Sequence, residues 1–454
     1  MRSFGPRLLP VALRQIRRAG EGPLDPGVFA RPLREAFEEV GGTFVKFGQI
    51  IASSPGLFGE ELSSEFRSCL DTGPIVPVDQ VRRVIEEELG RPLDEVFASF
   101  DPTPVGRASI AVVHRARLHD GTDVAVKVLR PGIDHLVATD LDVMYPLFDL
   151  LVRQTGAQIA GATLQQLDGL RIQIGEELDL RNEARALDHF RELVVISGLD
   201  RVAVPRPYHE YSGRNVLTME FLDGVPIDDL SSVSEWGLDP APLIEQLIRG
   251  FFIMTVTWGT FHGDIHAGNL LLLRDGRVGV IDWGIVGRLD EATHEFFITL
   301  LRAVLGSDEA WRSVTDYLIG NYGPAIREAV AMDDEQLAAL MRSMIEPVLF
   351  RPFGEVSYAE MMGTLQMRVA EANGVVWQHR SWRELFRRIR MQRKIHKMAV
   401  EGGGLMSDFD RGNFLLGKQL MYFERYGRLY LSDRAILSDT NFVQSLLDAR
   451  DAQS

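Results

Sequence analysis

The chain has 454 residues, which is too long for one ordinary core and enough for two or three packed units. Its 64 acidic and 49 basic residues give a net charge of −15, which argues against a nucleic-acid partner because such binders present a positive face to phosphates. The single cysteine, Cys69, cannot form an internal disulfide. The longest uncharged apolar stretch, residues 250–261, is shorter than the roughly 20 residues that a membrane span needs. We therefore expect a cytoplasmic protein without a transmembrane span.

The first hundred residues divide into a basic segment and a helical region. Residues 1–32 form the basic N-terminal segment and linker, in which positions 1–20 hold five arginines and no acid. This pattern favours either a locally docked terminus or a short helix on an anionic membrane surface. Residues 33–100 have the pattern of a helical extension, and one helix is predicted from Val78 to Leu89.

Residues 101–222 have the pattern of a strand-rich lobe. Apolar residues at 110–113 and alternating valines at 124–128 flank a turn at residues 119–121, which predicts a β-hairpin. Further elements are predicted in the same lobe: a helical pattern over residues 164–193 and strands over residues 201–211 and 215–221.

Residues 223–454 have the pattern of a mostly helical lobe. A helix over residues 243–257 leads to a polar loop at residues 262–269, and a second hairpin follows over residues 270–285. After about residue 289 the pattern is helical. Strands followed by helices predict an α+β fold with two lobes and an added N-terminal helical segment.

The sharpest signal for function lies in the polar loop and the strand after it. Phosphoryl transfer needs a carboxylate that orients the nucleophile and oxygen ligands that hold Mg²⁺ on nucleotide phosphates. Asp264 fits the first, catalytic role, and Asn269 and Asp282 fit the second as metal ligands. His262 and His266 in the same loop would also admit a metal site, but the sequence suggests no third ligand.

Lys127 lies among valines in a predicted strand, which favours either a solvent-facing lysine or one that pairs with nucleotide phosphates. A helix with surplus acid follows, and its Asp179 and Glu183 share a face because they are four residues apart. Lys127 is one candidate cation for these carboxylates, and Arg181 and Arg185 are local alternatives.

Several further segments carry a resemblance to known proteins. They are the motif Lys46-Phe47-Gly48-Gln49, the motif Glu177-Leu178-Asp179, the segment 101–132 with its lysine strand, the loop 262–269 and the triplet Asp282-Trp283-Gly284. In this order they resemble the motifs of the UbiB/AarF family of atypical kinase-like proteins. The resemblance runs from about residue 33 to residue 289, with a weaker C-terminal echo at residues 418–426.

The resemblance implies a protein-kinase-like two-lobed fold whose N-terminal helical extension packs over the active site. The gating residues would be Lys46, Gly48, Gln49, Glu177 and Asp179. Lys46 would approach Glu177 or Asp179 and restrict access by protein substrates. Family members are associated with ATP binding, ATP hydrolysis and the support of isoprenoid-quinone or other lipid metabolism at membranes, so a lipid or quinone-pathway partner is also expected.

The resemblance also implies ATP and Mg²⁺ as cofactors, with Lys127, Glu183 and Asp264 as catalytic residues. The nucleotide-binding residues would be Gly106, Arg107, Ala108, Ser109, Lys127, Glu220 and Leu222. Here the chain departs from the family, because residues 106–109 stand where an alanine-rich loop is usual. Trp283 replaces the usual phenylalanine after the metal-binding aspartate. Gly106 would let the backbone approach a phosphate closely, and Arg107 would contact phosphate or point to solvent.

Two other functions fit part of the pattern. Aminoglycoside and choline kinases share the His-Gly-Asp loop and the metal strand, but residues 46–49 and 177–179 argue against a small-molecule phosphotransferase of that kind. A non-enzymatic, nucleotide-gated scaffold that binds a lipid or a biosynthetic partner is the other alternative.

Residues 380–397 form a second basic segment, with eight basic residues against one acid and apolar residues at roughly helical spacing. Such a helix favours either contact with an anionic membrane surface or pairing with an acidic surface of the same chain. Peripheral contact with the membrane through residues 1–20 or 380–397 is therefore an expectation.

Overall fold

The computed structural model describes residues 76–108, 110–134, 175–317, 333–355 and 411–452, together with residues 31, 34, 35, 37, 38, 48, 65, 66 and 320. Several predictions fall outside these residues, namely those for Lys46, Gln49, Cys69, Ser109, residues 1–20 and residues 380–397. The chain divides into two compact units. The first comprises Met1–Pro146, Leu170–Arg191 and Pro205–Asp223, and the second comprises Leu147–Gly169, Glu192–Val204 and Gly224–Ser454.

The regular elements alternate between strands and helices in the first half of the chain and become mainly helical afterwards. In chain order they are α1 (Val78–Leu89), α2 (Leu93–Val96), β1 (Ser99–Arg107), β2 (Ala111–Arg117), β3 (Asp123–Leu129), α3 (Leu180–Ile196), β4 (Val202–Ala203), β5 (Val216–Glu220), β6 (Gly224–Pro226), α4 (Leu230–Glu235), α5 (Ala241–Trp258), β7 (Thr260–His262), β8 (Leu270–Leu273), β9 (Val278–Val280), β10 (Val286–Arg288), α6 (Glu291–Val304), α7 (Asp334–Phe350), α8 (Arg411–Tyr430) and α9 (Thr440–Asp451).

An antiparallel sheet in the order β1-β2-β3-β5 forms the centre of the first unit. The valines of β3 are fully buried, and α1 packs against them with Val81 and Ile85. Gly90 takes the left-handed conformation that ends α1, as the predicted helix from Val78 to Leu89 requires. The predicted hairpin at residues 119–121 is also confirmed, since β2 and β3 flank that turn.

Three sequence predictions in this region need correction. Residues 201–211 do not form one strand: β4 ends at Ala203, and beyond it only Pro207 makes an isolated antiparallel bridge, to Met219 of β5. Pro205 and Pro207 lack the N–H that a continuous sheet ladder uses. The helical pattern over residues 164–193 is interrupted before α3 at Asp179, and its first part lies outside the described residues. Residues 106 and 107, expected in a loop, belong to strand β1.

The second unit contains two small sheets surrounded by helices. One has the order β4-β9-β8-β6, and the other pairs β7 with β10. The predicted hairpin over residues 270–285 is shorter than expected, since β9 ends at Val280 and the chain then returns to β7 through β10. Helix α5 is buried along most of its length and ends at Gly259, which has a left-handed φ of 61°.

These elements confirm the α+β class and a second unit that is largely helical. Within the described parts of the chain, no helix is both long and apolar enough to cross a membrane. The loop between β7 and β8 and the strand end after β9 carry the predicted catalytic and metal residues.

Candidate functional site

In the first unit, the ammonium group of Lys127 lies 2.8 Å from both carboxylate oxygens of Glu183. Lys127 comes from the middle of β3 and Glu183 from the first turn of α3. Both side chains are buried, with 9% and 3% of their surface exposed. Desolvation of the two charges offsets much of their attraction, so stability alone does not account for such a pair. Of the two alternatives for Lys127, the structure excludes the solvent-facing lysine.

Asp179 has a different cation from Glu183. The guanidinium of Arg181 donates to the Asp179 carboxylate at 2.8 and 2.6 Å, and these hydrogen bonds lower the pKa of Asp179. Arg185, the other local candidate, donates to Asn182 instead. Asp179 and Glu183, which their spacing places on one face of a helix, therefore have separate partners.

The proposed gate is only partly visible. Glu177 is half-buried at the end of a short helical stretch before α3, and Gly48 is buried. Lys46 and Gln49 lie outside the described residues. The approach of Lys46 to Glu177 or Asp179 therefore stays a prediction.

The described part of the expected phosphate loop is the end of a strand. Gly106 and Arg107 pair with β2 as part of β1, and the N–H of Ala108 donates to a β2 carbonyl at 2.9 Å. The buried Arg130 donates from Nη2 to the carbonyl of Ala108 at 2.6 Å and so holds this strand end. Burial lowers the pKa of the Arg130 guanidinium. Arg130 lies within the segment 101–132, but no sequence pattern predicted a role for it.

Glu220 and Leu222, which were expected to bind the nucleotide, lie at the end of β5, in a segment that resembles the one whose backbone contacts adenine in kinases. The N–H of Glu220 donates to the carbonyl of Arg206 at 2.8 Å, and the Glu220 carboxylate lies 3.6 Å from Arg191. Leu222 is largely buried, with 9% of its surface exposed. Because the Glu220 N–H is used within the fold, any contact of this segment with adenine has to come from its other backbone groups.

In the second unit, the buried His262 joins the two loops that carry the predicted catalytic and metal residues. Its Nε2–H donates to the carbonyl of Asp282 at 2.5 Å, and its Nδ1 accepts the N–H of Asp264 at 3.0 Å. The Trp283 ring packs edge-on against the imidazole, with 4.5 Å between centroids. Burial lowers the pKa of His262 to about 4, so the ring is neutral at neutral pH. Since both ring nitrogens are used, His262 positions the two loops rather than binding a metal.

Asn269 and Asp282 meet at one end of the β8–β9 hairpin. The N–H of Ile281 donates to the carbonyl of Asn269 at 3.1 Å, and Asp282 is the next residue. The Asn269 side chain donates from its amide nitrogen to the carbonyl of Asp264 at 2.9 Å. That bond leaves the side-chain oxygen of Asn269 as the group that could ligate a cation.

The donor set fits a magnesium–nucleotide complex. Among the residues that the structure describes, no group of three His, Cys, Asp or Glu side chains is arranged to hold a metal by itself. Asn269 and Asp282 would offer two oxygen ligands, and Mg²⁺ in nucleotide sites commonly takes one or two carboxylates and completes its shell with phosphates and water. The two residues would therefore hold Mg²⁺ together with a nucleotide.

Two tyrosines of α8 also reach the catalytic loop. The Tyr422 hydroxyl lies 3.5 Å from Oδ1 of Asp264, and the buried Tyr426 donates to the carbonyl of Ile265 at 2.9 Å. Neither tyrosine stands out in the sequence. The signal that pointed toward them was the weak C-terminal echo at residues 418–426 and their spacing of four residues.

Comparison with known families identifies the same region. A family model described as the ABC1 atypical kinase-like domain matches residues 68–314. That range is more than half of the chain and includes Lys127, Glu183, Asp264, Asn269 and Asp282.

Individual relatives extend this similarity. The chain is 35% identical over 413 residues to an uncharacterized aarF domain-containing protein kinase, chloroplastic, from Arabidopsis thaliana, which covers 90% of this chain and 73% of the relative. It is 32% identical over 336 residues to a probable protein kinase UbiB from Marinobacter nauticus, which covers 73% of this chain and 60% of that protein. Among solved structures, the Rv3197–erythromycin complex from Mycobacterium tuberculosis is 25% identical with a TM-score of 0.46, over 79% of this chain and 88% of the other. The kinase-like fold expected from the sequence is confirmed, and the chain belongs to the UbiB/AarF family of ABC1 atypical kinase-like proteins.

Proposed function

We propose that the chain binds ATP with Mg²⁺ and transfers the γ-phosphoryl group to an acceptor or to water. The observation that carries this proposal is the cluster around His262, which holds Asp264 and Asp282 by their backbones while Asn269 bonds to Asp264. A carboxylate and two oxygen ligands held in one cluster are the parts that phosphoryl transfer needs. Membership in an atypical kinase-like family supports the same chemistry.

Each side chain has a separate task in this proposal. Lys127, oriented by Glu183, would bind the α- and β-phosphates, because its ammonium is already positioned by two hydrogen bonds. Asn269 and Asp282 would hold Mg²⁺, which neutralises charge on the β- and γ-phosphate oxygens when it is bound.

Asp264 would orient the attacking hydroxyl group or water and accept its proton. In that step the bond between the γ-phosphorus and the oxygen that bridges the β- and γ-phosphates of ATP breaks, and ADP leaves with that oxygen and the electron pair. A bond from phosphorus to the nucleophile's oxygen forms. The Asp264 backbone is fixed through its N–H and its carbonyl, so its carboxylate starts from a defined position. Membership in the UbiB/AarF family favours this function over an aminoglycoside- or choline-kinase-like enzyme.

A role in isoprenoid-quinone or other lipid metabolism belongs to the same proposal. Its support is the similarity to proteins named probable protein kinase UbiB, together with the basic segments 1–20 and 380–397 as candidate contacts with anionic lipid. Lipid and quinone profiling of a strain that carries Asp264→Asn should show a changed pool. Flotation with phosphatidylglycerol vesicles should be sensitive to salt and to charge reversal in residues 380–397.

The catalytic part is tested by measuring ATP consumption by the wild type and by Asp264→Asn, with and without phosphatidylglycerol vesicles. We expect Asp264→Asn to lower kcat by about 100-fold or more, since general-base groups typically contribute that much. Binding of Mg–ATP, followed by thermal shift, should persist because Asn269 and Asp282 remain. Equal rates for the two proteins would overturn the assignment of Asp264, and retained binding without turnover in the wild type would favour the scaffold alternative.

A further inference from the structure

Helix α8 lies far from the catalytic loop in the sequence, and it contacts three successive residues of that loop. Leu415 packs against Gly263 so closely that a Cβ there would lie 3.2 Å from its methyl group. Tyr422 reaches the carboxylate of Asp264, and Tyr426 bonds the residue that follows. Tyr422 and Asp264 are 158 residues apart in the sequence, so these contacts are tertiary contacts.

We propose that α8 positions the catalytic loop, with Tyr422 as the positioning residue for the Asp264 carboxylate and Tyr426 as the positioning residue for the loop backbone. The effect of Tyr422 on catalysis rests on the proposed function, whereas the positioning of the loop by α8 does not. Helix α8 also lies outside the matched family domain, which ends at residue 314. The proposal therefore assigns part of the site's geometry to a segment beyond the kinase-like domain.

Burial and hydrogen bonding support this role for the tyrosines. Tyr426 is 1% exposed and Tyr422 is 9% exposed, so their hydroxyls have little access to water. Burial raises the pKa of Tyr426 well above its ordinary value, and its hydroxyl therefore stays a proton donor to the carbonyl of Ile265. A buried carbonyl that lost this donor would be left unpaired, which is costly.

The face of α8 that makes these contacts is unusually polar for a buried helix. Gln419, one turn before Tyr422, is completely buried, and Tyr430, one turn after Tyr426, donates to the carbonyl of Ile227 at 2.7 Å. An apolar face would pack at several slightly different positions, but hydroxyl groups that contact defined polar partners specify one. Tyr430 bonds outside the catalytic loop, and it therefore provides a matched control on the same helix.

The first test uses hydrogen exchange of the full-length protein without nucleotide. Removing one hydroxyl deletes a hydrogen bond of about 1 kcal/mol, which corresponds to about fivefold faster exchange. We expect Tyr426→Phe to raise exchange of the amides in residues 263–269 by about that factor. Tyr430→Phe should leave those amides unchanged. Unchanged exchange in Tyr426→Phe would overturn the positioning role, whether or not the protein consumes ATP.

The second test uses ATP turnover. We expect Tyr422→Phe to lower kcat about fivefold at nearly constant KM for Mg–ATP, because misplacing Asp264 affects the reaction rather than nucleotide binding. Tyr430→Phe should keep the wild-type kcat. Equal kcat values for the two variants would overturn the role of Tyr422. An inactive wild type would instead contradict the proposed function and leave the exchange result standing.

Discussion

Lys127 and Glu183 form a buried ion pair in which one ammonium group contacts both oxygens of one carboxylate at 2.8 Å. The strand β3 and the helix α3 supply the two charges from positions 56 residues apart. Taking two charges out of water offsets most of what their attraction returns. The pair therefore orients a lysine and adds little net stability.

This leads to a prediction for single and double variants. Glu183→Gln leaves the Lys127 charge buried without its carboxylate, and we expect the free energy of unfolding to fall by about 3 kcal/mol or more. The double variant Lys127→Met with Glu183→Met should regain most of that loss, because neither a charge nor an unpaired polar group remains buried. Urea unfolding measures both values. A double variant as unstable as Glu183→Gln alone would show that the pair itself stabilises the fold.

A second prediction concerns pH. Folded His262 has a pKa of about 4, whereas its ordinary value is 6.5, so the unfolded chain binds more protons between these values. The free energy of unfolding therefore falls as the pH drops below 6.5, by about 3 kcal/mol from this group between pH 7 and pH 4. Burial also lowers the pKa of His114, which acts in the same direction.

Measuring the free energy of unfolding at several pH values tests the contribution of His262. His262→Gln keeps an amide donor but does not titrate, so its stability should depend less steeply on pH than that of the wild type. His119→Gln, at an exposed histidine, is the control and should keep the wild-type dependence. Parallel curves for His262→Gln and the wild type would contradict the assignment to His262.

Elements with a local physical cause could be predicted from the sequence. Helix α1 ends at a glycine with positive φ, and the turn at residues 119–121 separates two valine-rich strands. Strand β1 was missed because Pro102 and Pro104 interrupt it and most of its side chains are exposed, so it has no apolar alternation. The strand predicted over residues 201–211 was overestimated because Pro205 and Pro207 lack the N–H groups of a continuous ladder, so that after β4 only an isolated bridge from Pro207 to Met219 remains.

The same distinction holds for the candidate site. Asp264, Asn269 and Asp282 lie close enough in the sequence for a motif to show them. From the residues alone the partner of Lys127 remained open, and the family resemblance pointed to Glu183. Choosing Glu183 over Asp179 on physical grounds depends on the arginine that pairs with Asp179 in the folded chain. The contacts from α8 could not be predicted, because no local pattern relates a tyrosine to a loop more than 150 residues earlier.

Gln419 supports a third prediction. Its side chain is completely buried, and neither end of the amide has a hydrogen-bond partner within the part of the chain that the structure describes. An unpaired buried amide costs about 1–3 kcal/mol, so Gln419→Met, which has a similar volume, should raise the free energy of unfolding by about 1 kcal/mol. Chemical denaturation measures the change. Gln444→Met, at an exposed glutamine of α9, is the control and should have little effect. A clear loss of stability in Gln419→Met would show that the amide is satisfied in solution.

The last prediction compares two strand glycines. An added Cβ at Gly287 would overlap the ring of Phe261, whereas at Gly106 the nearest atom would be the Cβ of Val113 at 3.7 Å. We therefore expect Gly287→Ala to lower the free energy of unfolding by about 2 kcal/mol and Gly106→Ala to change it by less than about 0.5 kcal/mol. Urea unfolding measures both.

Gly106→Ala also distinguishes an effect on folding from an effect on nucleotide binding. If the backbone at Gly106 approaches a phosphate closely, the added methyl group should weaken ATP binding about tenfold while the fold is retained, since lost contacts of about 1.4 kcal/mol have that effect. Isothermal titration with Mg–ATP measures this, and Val105→Ala, at an exposed neighbour in β1, is the control. Wild-type affinity in Gly106→Ala would contradict the phosphate-binding role of Gly106 and would shift that role to Ala108, whose carbonyl accepts from Arg130.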